Sequence, residues 1–302
     1  MPRNPHSKRL YFDYAASTPV DPTAARAMRP YFSEKFGNPG SLHSFGQEAI
    51  AAVDRAREIV AASLGAGFRE IIFTSSATEA NNLTLYSAYF RFKEQYPAMT
   101  PKLIVSAVEH ESVLEAARFL QSRGAALSVI PVDTHGVVDM KRLKAELDES
   151  VCIVSVMYVN NEAGTVEPVA EISEIIRDFR ESRIVNNESR KDSRSIHGSR
   201  FMVHGSSFPL FHTDAAQAFQ FFDCNVKDLG VDMLTLSSQK IYGPKGAGAL
   251  YVRQASGIKY QDAGMTRDAG RLTPMIHGGG QEFGARSGTE NVQAIVGFAA
   301  AA

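Results

Sequence analysis

Two lysines stand five residues apart in "LTLSSQKIYGPKGAGALYV", residues 234–252. Lys240 follows an apolar run at the end of an expected buried strand. A fixed charge is costly there, and desolvation lowers an amine's pKa, which makes it a nucleophile for a carbonyl. Lys245 is wedged between Pro244 and Gly246 in a glycine-rich loop, where solvation is its expected fate. Position alone favours Lys240. In "FHTDAAQ", His212 and Asp214 are two residues apart and share one face of a strand. Asp214 lies between Phe211 and Ala215–Ala216, so it is poorly solvated and needs a cation, a metal or a protonated ring nitrogen. No third metal ligand stands nearby, and no metal is expected.

Three other strand ends carry polar groups. After "EIIFTS" comes "SATEANN", where Ser76 precedes Glu79 by three residues, a capping-box pattern. Free N–H groups at such a helix start can hold an anion, and Thr78 adds a hydroxyl. Taken alone, a plain helix cap is the simpler reading. His110 follows "KLIVSA" in "VEHES", and Asn161 follows "CIVSVMYV" in "NNEAG"; alone, each reads as structural. Together the pieces fit an aromatic ring bearing an aldehyde and a phosphate. The phosphate sits at a helix start, an acid faces a pyridine nitrogen and a lysine forms the imine, as expected for pyridoxal 5'-phosphate. Other phosphate motifs do not match: "GPKGAGAL" lacks the ending of a P-loop, and "GAGALY" lacks the third glycine of a dinucleotide fingerprint. No G-x-S-x-G elbow of a serine hydrolase occurs.

The elements that must position these groups alternate along the chain. "SFGQEAIAAVDRAREIVAASLG" places Ile50, Val53, Val60 and Leu64 on one helical face and ends at Gly65. Strands are expected at "EIIFTS", "KLIVSA", "ALSVIPV", "CIVSVMYV", "LFHTDA", "VDMLTLSS" and "AGALYVR". Helices are expected between the first of these, at "ATEANNLTLYSAYFRFKEQ", "ESVLEAARFLQSRG", "DMKRLKAELDE" and "VAEISEIIRDFRE". Apolar strands separated by crossover helices imply a three-layer α/β fold with a mostly parallel sheet, whose ligands bind beyond the carboxyl ends of the strands. One stretch breaks the pattern. Residues 181–209, rich in Ser, Arg and Asn, stand where a short link would suffice, and they read as an irregular surface insertion.

Bulk properties set the frame. The 302 residues are 44% hydrophobic and 22% charged with a net charge of −1, so no basic field argues for nucleic acid or an anionic membrane. The N-terminus has no apolar signal segment and no run is long enough for a membrane helix. Two cysteines, Cys152 and Cys224, lie too far apart in sequence for a disulfide framework or zinc site, and a cytoplasmic setting is the default.

The motifs also carry a resemblance. "YFDYAASTPVDP", "FGNPGSLHSFG", "IIFTSSATEANNL", "VEHESVL", "VNNEAGTVEPV", "HTDAAQ", "SSQKIYGPKGAGALYV" and "HGGGQEFGARSGTEN" follow in the order seen in cysteine desulfurases of the class V aminotransferase family, the iron–sulfur-cluster and nitrogenase-associated type. It covers nearly the whole chain apart from the insertion. The resemblance implies a large domain of the aspartate-aminotransferase type, residues 21–302, in a homodimer, with residues 1–20 joining a small domain. It implies Lys240 as the Schiff-base lysine and His110 as the residue stacked on the cofactor ring and moving protons. It implies Asp214 on the pyridine nitrogen, Gln217 on the ring oxygen, and Thr78, Ser237 and the Ala77 backbone on the phosphate. Asn161 would sit near the ring oxygen and the substrate carboxylate, and Thr289 would reach the other subunit's cofactor phosphate.

Two departures stand out. Gln239 occupies the position before the lysine where the family usually has histidine; an amide still donates a hydrogen bond but cannot become cationic. Family members also continue for about a hundred residues past this point, through a small domain, a loop with the nucleophilic cysteine and an arginine for the substrate carboxylate. Neither Cys152 nor Cys224 fills that role. The expectation is the cofactor-binding part of an enzyme converting L-cysteine to L-alanine and passing sulfur as a persulfide to an iron–sulfur scaffold or other acceptor. The alternatives are a transaminase or lyase on the same scaffold, or a non-catalytic cofactor-binding chain.

Overall fold

The computed structural model describes residues 10–191, 208–254 and 272–302. Helices α1 (Pro22–Met28), α2 (Pro30–Ser33) and α3 (Ser44–Ser63) lead into strand β1 (Ile71–Thr74). Then α4 (Ala77–Gln95), β2 (Lys102–Ser106), α5 (Glu111–Ser122), β3 (Ala126–Ile130), α6 (Met140–Glu146), β4 (Val151–Ser155) and α7 (Val169–Lys191) alternate. The chain closes with β5 (Leu210–Asp214), α8 (Val226–Leu229), β6 (Met233–Ser237), β7 (Gly248–Val252) and α9 (Val292–Ala301). Helix α3 ends as its sequence demands: Leu64 is fully buried and Gly65 takes the left-handed φ of 62°.

Among the described residues seven strands form one sheet in the order β1-β7-β6-β5-β4-β2-β3. Neighbours from β6 across to β3 pair in parallel, whereas β7 runs antiparallel to both β6 and β1. Two reversals cancel, so β1 points the same way as β6. The carboxyl ends of β1, β2, β4, β5 and β6 therefore share one edge of the sheet. Every residue of β1, β4, β5, β6 and β7 is buried, as the apolar runs require. β3 departs from that reading. Among the described residues it is the last strand of the sheet, and Val129 on this edge strand is half exposed.

Apolar clusters fill both faces of the sheet. One is built from α3, α9 and the inner faces of β4 to β7, and the other from α4, α5 and the opposite faces. Gly248 lets β7 run close against the start of α4. A Cβ there would lie 2.6 Å from the Ser76 carbonyl carbon. The expected insertion, 181–209, is not irregular over its first residues. α7 runs on to Lys191, and 181–191 contains no Gly or Pro to stop it. Residues 192–207 lie outside the described residues, and the chain re-enters at the buried Phe208.

Residues 13–21 lie across the strand ends. Thr18 donates through its N–H and its hydroxyl to the Gln239 carbonyl, at 3.2 and 2.9 Å. The Tyr242 N–H returns to the Thr18 hydroxyl at 2.9 Å, and Asp21 N–H donates to the Tyr242 carbonyl at 2.8 Å.

Candidate functional site

A cavity of about 500 Å³ opens at the shared edge of the sheet. It brings together nine of the ten residues singled out from the sequence: Ala77, Thr78, His110, Asn161, Asp214, Gln217, Ser237, Gln239 and Lys240 all line it. Thr289 is elsewhere, in an adjoining depression of about 190 Å³ that shares Ser75 and Gly246 with the cavity wall.

One wall is the start of α4. The Ser76 hydroxyl accepts from Glu79 N–H at 3.1 Å, so Ser76 is the N-cap. The rest of the capping box differs from the sequence pattern. Glu79 turns outward, accepts from Ser75 N–H at 2.9 Å and pairs with Arg286 at 2.8 Å. Burial pushes the Glu79 carboxyl up, but Arg286 and Ser75 together hold it below the usual carboxylate range. The Ala77 and Thr78 N–H groups belong to the first turn, where no earlier carbonyl of the helix can take them, and they are open to an anion. Ser237, the last residue of β6, lines the same cavity.

The floor is Asp214, the last residue of β5, 6% exposed. Its carboxylate accepts from Asn81 Nδ2 at 2.7 Å and from Ala216 N–H at 2.9 Å. Burial nevertheless leaves the carboxyl above its usual range, because these bonds and the more distant Lys240 charge do not fully offset desolvation. His212 shares the strand face but not the cavity. It is fully buried between Ser155 and Thr235, at 2.8 and 3.0 Å, and desolvation pulls its pKa down to about 3. Among the described residues no group of three His, Cys, Asp or Glu is placed to hold an ion.

Lys240 sits in a short 3-10 turn, Ser238–Lys240, directly after β6. Desolvation lowers its pKa against the opposing pull of Asp214 and Asp13. Its Nζ donates to the Ala15 carbonyl and, at 3.0 Å, to the Ala16 carbonyl. Lys245 is exposed in the loop beyond, as its position predicts. Gln217 Nε2 also donates to the Ala15 carbonyl, at 2.9 Å. The turn after β4 divides its labour. Asn160 holds the loop through Glu162 N–H, Ala163 N–H and the Val108 carbonyl, which leaves Asn161 to line the cavity.

Sequence reasoning missed several groups. Asn81 is fully buried in mid-helix, and an amide on the helix face that packs against the sheet was the available signal. Ser112 joins it at 2.8 Å. Glu109 is also buried, one residue before His110. It accepts from Met157 N–H at 2.5 Å, and burial pushes its carboxyl well up, helped by Asp214 and Glu167. The two cysteines are buried and do not line the cavity. Burial pushes the Cys152 thiol far up and Cys224 to about 12.

The donor set suits pyridoxal phosphate. Helix N–H groups and two hydroxyls stand at one end, a buried carboxyl in want of a positive partner at the floor, and an amine of lowered pKa between them.

Residues 10–185 and 202–302 match the family described as Aminotransferase class-V. The segment 186–201 left out of that match falls within the expected insertion. The chain is 38% identical over 291 residues to the cysteine desulfurase IscS of Dictyoglomus turgidum, covering 96% of this chain and 62% of that protein. A solved structure titled NifS-like protein superposes with a TM-score of 0.80 at 35% identity, over 97% of this chain and 69% of the other. One titled SspA in complex with cysteine gives a TM-score of 0.77 at 37% identity, over 96% and 71%. The chain thus spans about six tenths of the length of the curated relatives it matches.

Proposed function

The chain belongs to the aminotransferase class-V family, and on that premise we propose that it is the pyridoxal-phosphate-binding part of a cysteine desulfurase. One observation carries the reading: Asp214, Lys240, His110 and the start of α4 surround a single cavity. The names of the relatives and the cysteine held by the SspA structure support the choice of L-cysteine as substrate.

When bound, pyridoxal phosphate supplies an aldehyde for the substrate amine and an electron-withdrawing ring. Ala77, Thr78, Ser237 and Gln239 would hold the phosphate. Asp214 would keep a proton on the ring nitrogen, an ion pair that would offset the desolvation of its carboxylate. Gln217 and Asn161 would hold the ring oxygen, and Asn161 would also bind the substrate carboxylate. Lys240, with its lowered pKa, would hold the cofactor and serve as the base for the substrate Cα proton. In the overall reaction the Cβ–S bond of cysteine breaks and an S–S bond forms to an acceptor thiol. The acceptor's proton ends on Cβ, giving alanine and a persulfide. Both cysteines of these 302 residues are buried away from the cavity, so the acceptor thiol comes from outside them. We further propose a cytoplasmic homodimer in which Thr289 serves the other subunit, residues 1–20 join a small domain, and sulfur passes to an iron–sulfur scaffold or similar protein.

The buried cysteines also favour a second reading, transamination or elimination at the same site without a protein thiol. The purified protein, loaded with pyridoxal phosphate and given L-cysteine and an acceptor thiol, separates the two. Alanine and persulfide in equal amounts support the desulfurase. A keto acid with no alanine would overturn it.

A further inference from the structure

Asp214 and His110, on separate strand ends, are joined by a hydrogen-bonded chain with a determinate direction. Asn81 Nδ2 donates to Asp214 Oδ2 at 2.7 Å and to Ser112 Oγ at 2.8 Å. Ser112 Oγ lies 2.8 Å from His110 Nδ1, and Ser112 N–H lies 3.1 Å from the same nitrogen. A backbone N–H can only donate, so Nδ1 must be the acceptor and carries no proton. The Ser112 hydroxyl then gives its single hydrogen to Nδ1 and receives from Asn81 on its lone pair. With Nδ2 toward both partners, the Asn81 amide donates twice, and the imidazole hydrogen is left on Nε2.

We propose that Asn81 and Ser112 are positioning residues that fix His110 in its Nε2–H tautomer and lock it to the same amide that seats Asp214. His110 then presents a hydrogen-bond donor to the cavity, and Lys240 is left as the base beside it. Asn81 and Ser112 are both buried, and Ser112 is second in α5, so helix geometry and the hydroxyl act on one nitrogen together. The division of roles between His110 and Lys240 rests on the function proposed above; the tautomer does not.

The tautomer is read from two-bond ¹H–¹⁵N correlation spectra of protein labelled at histidine, with and without pyridoxal phosphate. The expected result is an unprotonated Nδ1 and a protonated Nε2 for His110 in both. Ser112→Ala removes one of the two donors and is expected to raise the Nδ1–H population about fivefold, the factor for a hydrogen bond of about 1 kcal/mol. Ser112→Thr, which keeps the hydroxyl, restores the wild-type ratio. A merely structural role would leave the ratio unmoved in a folded Ser112→Ala. That result, or Nδ1–H in the wild type, would overturn the proposal. Failure to bind the cofactor would count against the proposed function alone, because the cofactor-free spectrum still reports the tautomer.

Discussion

Replacing Glu282 with Gln tests how the site's outer wall is held. Glu282 and Arg57 form a two-pronged pair at 2.7 and 2.8 Å, with side chains only 2% and 4% exposed. The same carboxylate accepts from Phe73 N–H at 2.8 Å, and the guanidinium lies over the rings of Phe73 and Phe283 at 4.8 and 4.9 Å. Glu282 has a positive φ of 49°, so the backbone holds an uncommon conformation to deliver this contact. An amide keeps the shape and can still accept one bond, yet it strands the buried Arg57 charge. Breaking a buried pair from one side costs about 3–5 kcal/mol, and the retained acceptor places this case near the low end, about 3 kcal/mol. With a urea m value of about 3 kcal/mol/M, the unfolding midpoint falls by about 1 M. Phe73 stands two residues before Ser75, so the turn proposed to hold the phosphate loosens, and cofactor affinity is expected to fall with stability. Glu282→Gln combined with Arg57→Met removes both charges, and the double variant is expected to recover at least 2 kcal/mol relative to the summed single costs. A single-variant loss under about 1 kcal/mol, or strict additivity in the cycle, would refute the reasoning.

Other outcomes follow from the same geometry. His212 is neutral when folded, with a pKa of about 3 against about 6.5 unfolded, so the unfolded chain binds the extra proton between those values. Its contribution is complete above about pH 6.5 and is lost as pH falls toward 3, at about 1.4 kcal/mol per pH unit; His212→Gln flattens that part of the stability curve measured by denaturant titration. Cys152 and Cys224 resist thiol-labelling reagents in the native protein and react fully in urea; rapid native labelling would show that burial does not protect them. Gln239→His places a titratable cation in the cavity wall, so the cofactor dissociation constant measured by fluorescence acquires a pH dependence between about 5 and 8 that the native amide lacks.

The sequence made the sheet and its functional edge legible because apolar runs and helix periodicity are local signals, and strand ends in a parallel sheet converge wherever the chain goes. Lys240, Asp214 and the Ser76 cap could be placed on that basis. His110 and Asn161 needed the motif order, since one histidine or amide after a strand has many structural uses. Asn81, Ser112 and the Arg57–Glu282 pair stayed hidden for a different reason. Asn81 acts on partners 31 and 133 residues away and Arg57 on one 225 away, and no local spacing encodes such contacts; Ser112 is close to His110 in sequence, but only its bond to Asn81 gives it a role. The helix over 181–191 was not legible because Ser, Arg and Asn suggest a loop, whereas a segment without Gly or Pro carries an existing helix onward at small cost per residue.

The central claim is that Lys240 is the amine that takes the cofactor aldehyde. Borohydride reduction of the protein loaded with pyridoxal phosphate, followed by peptide mapping, tests it most directly. One pyridoxyl group per chain is expected on Lys240, retained in Lys245→Ala and lost in Lys240→Ala. A label on Lys245, or none in the wild type, would contradict it.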